Sequence, residues 1–145
     1  MYKHILIATD GSELAQKAVD HGLALAKAIG AAVTAVHVTA PWTAVAMGEV
    51  VVTLPPENYD QIVQDSAKGI LTGVATAAKA AGVTCETLHM RDRLPAEGII
   101  EAAANSHADL IVMASHGRSG LIRLFLGSEA NEVVSKSTIP VLICR

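Results

Sequence analysis

Aromatic side chains are scarce in this chain: one Trp, one Phe and two Tyr make up 3% of its 145 residues. A core without rings has to come from small and branched aliphatics, and a 51% hydrophobic content, much of it alanine, supplies them. Charged residues amount to only 17%, a composition that excludes a disordered chain. Clusters of Lys and Arg are missing and the net charge is −3 with histidines neutral. An extended nucleic-acid surface, which needs a basic footprint, is thereby excluded. No apolar run reaches the length of a membrane span; Lys27 and Gly30 interrupt the best candidate, Gly22 to Val38.

Cysteine is equally sparse. Cys85 and Cys144 lie far apart in apolar runs and form no CxxC pair, so they read as two buried free thiols in a reducing compartment. Met1-Tyr2-Lys3-His4 runs directly into a strand-like segment without a signal-peptide pattern, and the expected location is the cytoplasm. The length suits one domain, 1–145. Several chemical signatures are also missing. There is no Gly-x-x-x-x-Gly-Lys-[Ser/Thr] loop and no Gly-x-Gly-x-x-Gly turn after the first strand. The six histidines show no metal-ligand spacing, so a protein-built metal site is not expected. No Ser/His/Asp pattern accompanies Ser12 or Ser128, which read as helix caps, and no catalytic residue is assigned; a slow ATPase is the most the chain supports.

What is present is an alternation of strands and helices. Strand-like segments at His4 to Thr9, Ala32 to Thr39, Val83 to Met90, Leu110 to Ala114 and Ile139 to Cys144 are separated by amphipathic helical patterns. The first helix repeats Ala15, Ala18, Val19, Gly22, Leu23, Ala26 and Ile29 at spacings of three and four, with Gly30 as its C-cap. A long helix runs from Tyr59 to Ala81 with Ile62 and Val63 on its inward face; Gly69 and Gly73 within it point to close helix packing. The irregular stretch Pro41 to Pro56 holds Trp42, Met47 and Gly48, and its valines 50 to 52 suit a short extended piece. Alternating strands and helices predict an α/β fold, a parallel sheet with helices on both faces. Ligands of such sheets bind at the carboxyl ends of the strands, where the strand order reverses.

Two polar loops follow the first and fourth strands: Thr9-Asp10-Gly11-Ser12, and Ser115 to Ser128 before the last helix. The second reads as strand, glycine-bearing loop, helix N-terminus. Unpaired N–H groups and the positive end of the helix dipole suit phosphate there. His116, Arg118 and Arg123 could reach a phosphate but serve equally as solvated loop residues.

Ala114-Ser115-His116-Gly117, nine residues, then Gly127-Ser128 resembles the Gly-x-x-Gly, nine residues, Gly-[Ser/Thr] motif of nucleotide-binding universal stress proteins. The resemblance covers the whole chain. It includes Ile5 to Ser12, His37-Val38, Pro95-Ala96-Glu97, Asp109 to Met113 and Pro140 to Ile143. It implies a five-stranded sheet of order 3-2-1-4-5, of the adenine-nucleotide alpha-hydrolase-like type. It also implies a stress-response or signalling protein that binds ATP, with or without Mg, between strands one and four. AMP, ADP, or a nucleotide-free homodimeric scaffold are the alternatives. By position, Asp10 would lie by the ribose or a metal and Val38 would present backbone to the adenine, with Ala8 and Thr9 beside Asp10 among the cofactor-binding residues. Gly117, Gly127 and Ser128 would hold the phosphates, with Glu129 lending a backbone N–H; Ala114, His116 and Arg118, in the same loop, are counted with the cofactor-binding residues. A homodimer through the C-terminal edge strand, Pro140 to Cys144, is implied as well. The chain departs from the motif at two places: Ala114 replaces the first glycine, and Arg93 stands where many relatives carry glycine.

Overall fold

A computed structural model describes residues 1–46, 56–117 and 125–145. The elements run β1 (His4–Ala8), α1 (Glu13–Ile29), β2 (Ala32–Thr39), α2 (Trp42–Ala46), α3 (Pro56–Ala81), β3 (Cys85–Arg91), α4 (Pro95–Asn105), β4 (Leu110–Ala114), α5 (Ser128–Lys136) and β5 (Val141–Cys144). The strands form one parallel sheet in the order β3-β2-β1-β4-β5, as the resemblance implied. The order reverses between β1 and β4, so the ends of these two strands flank a crevice. Valines 50 to 52, Met47 and Gly48 fall outside the described residues, as do Arg118 and Arg123.

Both faces of the sheet are covered. Ile5, Ile7, Val33, Ala35, Val112 and Ala114 pack with Ala18, Val19 and Leu23 of α1 and Leu71, Val74 and Ala78 of α3. On the other face Leu6, Val36, Ile111 and Met113 meet Ile99 and Ala102 of α4 and Val133 of α5. Alternate residues of one strand therefore serve two cores, which is why Ile5 to Ala8 of β1 and Leu110 to Ala114 of β4 are apolar without a break. Alanine lets the helices come close. A Cβ on Gly22 would stand 2.5 Å from Ile7 Cδ1, and one on Gly98 would stand 2.5 Å from Val38 Cγ1.

Ser12 caps α1 as its side chain accepts from the Ala15 N–H at 3.2 Å, and left-handed Gly30 ends it at φ 70°. Pro95 occupies the first turn of α4. Some details differ from expectation. Ile29 and Ile62 are 42% and 54% exposed, since the helical stripe overruns the sheet it covers. Gly69 and Gly73 are exposed, and a Cβ at either would meet nothing within 4 Å, so no close packing among the described residues explains them. Cys144 is buried but Cys85, on the edge strand, is only half-buried; both are free, and burial raises both thiol pKa values.

Among the described strands β3 pairs with β2 alone. The Val33 N–H donates to Thr84 O, so Glu86, Leu88 and Met90 face β2 while Cys85, Thr87 and His89 turn their backbone groups to the open edge. A groove of about 490 Å³ lies beside that edge, with Lys68 and Lys79 of α3 opposite Thr87 and His89.

Candidate functional site

The carboxyl ends of β1, β2 and β4 surround a cavity of about 720 Å³. Ala8, Thr9 and Asp10 form its β1 side, Val38 its β2 side, and Ala114, His116 and Gly117 its β4 side. Gly127, Ser128 and Glu129 at the start of α5 close it. Every residue expected at the site is therefore on one cavity wall, except Arg118, which lies outside the described residues.

Local bonds explain how the loops hold their places. Thr9 N–H donates to Val36 O at 3.0 Å, and the Asp10 carboxylate accepts from Ser12 N–H at 2.9 Å. The β4 loop is closed at its base. Ser115 N–H donates to Cys144 O, and Gly127 N–H donates to Ser115 O, both at 2.8 Å. His116 Nδ1 lies 3.1 Å from Ser115 Oγ, a contact within the loop. The N-cap of α5 is Gly127, not Ser128, and no side chain bonds there. The cap reading of Ser128 is thereby corrected, because the extended residue before the helix is the glycine.

Ala114 is 8% exposed and belongs to the core on the α1 and α3 face. Positive-φ residues other than glycine are Asp92 and His107 among those described, so Ala114 needs no glycine-like backbone. Its methyl is accommodated by the core beside Cys144 and Val112. Gly117 is held more tightly: a Cβ there would lie 3.0 Å from Asp10 Oδ2 and 3.7 Å from Glu129 Oε2. Two carboxylates thus converge at Gly117. Glu129 as a residue is exposed, but desolvation of its carboxyl end, then the charges of Asp10 and Glu132, raise its pKa above the ordinary value.

The sequence reading missed several wall residues: Ser115, the His37 ring, Tyr59 and Val63 of α3, and Phe125, which is 72% exposed at the cavity wall. Tyr59 donates to Ala40 O at 2.8 Å, and burial, then Asp60 and Asp92, raise its phenol pKa. A signal existed. In a chain with four aromatic residues, two, Tyr59 and Phe125, line the cavity. Among the described residues no group of three or more His, Cys, Asp or Glu could hold a metal, and no helix is long and apolar enough to cross a membrane.

The comparisons with known proteins agree with this architecture. A universal stress protein of Methanocaldococcus jannaschii is 34% identical to this chain over all of it and over 83% of the relative's own length. The solved structure of protein MJ0577, a universal stress protein of the same organism, superposes with a TM-score of 0.83 at 28% identity, covering 99% of this chain and 96% of the other. A universal stress protein solved in complex with cAMP gives a TM-score of 0.72 at 26% identity, covering 98% of this chain and 95% of that one. The model of the universal stress protein family matches residues 1–145. The chain belongs to the universal stress protein family.

Proposed function

We propose that this chain binds an adenine nucleotide, ATP, in the crevice between the ends of β1 and β4, as part of a stress-response or signalling role. The observation that carries the reading is a contrast between two helix starts beside one cavity. In α1 a first-turn N–H is bonded by Ser12 Oγ, whereas α5 starts at Gly127 with no side-chain cap. Its first-turn N–H groups and the positive end of its dipole are suited to a phosphate. Asp10 and Val38 on the opposite walls suit ribose and adenine. The cAMP complex of a relative supports the adenine class, with AMP and ADP as competing ligands. The described residues supply two converging carboxylates, Asp10 and Glu129, and no third metal ligand beside them. Any Mg would therefore be held chiefly by nucleotide phosphates, with Asp10 as the protein's contribution.

Isothermal titration of the wild-type protein with ATP, with and without Mg, tests this. Saturable binding at or below the millimolar range is expected, and no binding in that range overturns it. In that outcome the nucleotide-free homodimeric scaffold takes its place. Pairing through β5 is part of both readings. The strand is an edge of the sheet, Leu142 is 40% exposed, and Val141 to Cys144 are apolar. A monomer at micromolar concentration in sedimentation equilibrium would remove that part.

A further inference from the structure

His37, on β2, is 8% exposed and is among the residues that line the cavity. Its Nδ1 lies 2.8 Å from the carbonyl oxygen of Thr9. A carbonyl oxygen can only accept, so Nδ1 carries the proton of the neutral ring, and Nε2 is left with a bare lone pair. No described residue bonds Nε2. It is not sealed in protein either: among the described residues the buried side-chain polar atom lacking a partner is Trp42 Nε1. The His37 Nε2 atom therefore keeps accessible surface, on a residue that lines the cavity.

The donors around it are committed elsewhere. The ring of His89 stands 5.9 Å away, centroid to centroid, and its Nε2 pairs with Thr39 Oγ1 at 2.9 Å. The Tyr59 hydroxyl is given to Ala40 O at 2.8 Å. What remains is a nearly buried acceptor, fixed in tautomer and orientation, facing a cavity of ligand size. An acceptor so placed discriminates, because a ligand lacking the matching donor leaves it desolvated and unpaired.

We propose that His37 Nε2 is a specificity-determining acceptor that takes a hydrogen bond from a hydroxyl or amino group of the bound ligand. This rests on the nucleotide reading above, in which the donors on offer are the ribose 2′- and 3′-hydroxyls and the 6-amino group of the base. The test is titration of wild type and His37→Asn with ATP, 2′-deoxyATP, 3′-deoxyATP and purine riboside triphosphate. The asparagine amide can still donate to Thr9 O but offers nothing at the place of Nε2. One of the three analogues should bind wild type about 3- to 10-fold more weakly than ATP. His37→Asn should bring ATP down to that analogue's affinity and leave that analogue unchanged. His37→Gln, whose amide oxygen reaches toward the position of Nε2, should restore the preference for ATP. Equal weakening of all four ligands by His37→Asn, or unchanged ATP binding, overturns this assignment alone. Absence of ATP binding by the wild type overturns the nucleotide reading and this assignment with it.

Discussion

Gly127 donates its N–H to Ser115 O at 2.8 Å, and a Cβ built on Gly127 would stand 2.8 Å from that same oxygen. The glycine is thus required by the loop itself, before any ligand arrives. Gly127→Ala should push the loop base apart at a cost of about 1–3 kcal/mol. Denaturant unfolding of the ligand-free protein measures this, and a change below about 0.5 kcal/mol would show that the loop yields freely. ATP affinity should fall in the same variant.

Gly69 and Gly73 behave in the opposite way. Both sit inside α3 with open space where a Cβ would go. Gly69→Ala and Gly73→Ala should each stabilise the fold by about 0.5–1 kcal/mol, through helix propensity and a less flexible unfolded chain. Gly98→Ala is the control, since its Cβ would meet Val38 Cγ1 at 2.5 Å and Cγ2 at 2.8 Å. Thermal melts should rise for the first two and drop for the third.

Glu129 gives the ligand-free protein a pH dependence of definite sign. Its carboxyl pKa is raised in the folded state above 4.5, by desolvation first and then by Asp10 and Glu132. In the window just above 4.5 the folded state holds more protons than the unfolded one, so stability falls as pH rises through it. Glu129→Gln should flatten that fall and leave the protein more stable than wild type at pH 7. Unfolding curves at pH 4, 5, 6 and 7 check it; identical pH profiles for the two proteins would refute it.

Asp109 works with the other sign. Burial alone would raise its pKa, but the N–H groups of Lys3 and His4, at 2.9 and 3.1 Å, outweigh burial and lower it. Its contribution is present above the ordinary value of 3.8 and is lost as pH falls below it. Asp109→Ala should cost about 1–2 kcal/mol at neutral pH by releasing the entry of β1. The loss should shrink in acid, which a comparison at pH 7 and pH 3 reads directly.

Periodicity carried the fold. The limits of β2, Ala32–Thr39, coincide with the expected segment, whose valines and alanines supply both faces even though the buried Thr34 and His37 interrupt the apolar run. The strand order came from the family resemblance, since no local signal says which parallel strands adjoin. Periodicity misled at Ile62 and Gly69, where the helix extends past its support or faces open space. At the site, the residues on strand ends and glycine loops were legible because their chemistry is local. Tyr59 and Val63 were not, since they reach the cavity from α3, far along the chain, and Phe125, though inside the glycine loop, carries no phosphate-binding chemistry that would mark it. The Ser128 cap failed by one residue, as Gly127 already holds the extended conformation that a cap needs.

The two rims of the sheet are chemically unlike, and this gives any growth of the sheet a direction. At β3, Lys68 and Lys79 of α3 line the groove beside the edge. Along β5 no charged side chain stands between Val141 and Cys144. A strand added to the sheet would therefore meet charged neighbours at β3 and an uncharged edge at β5.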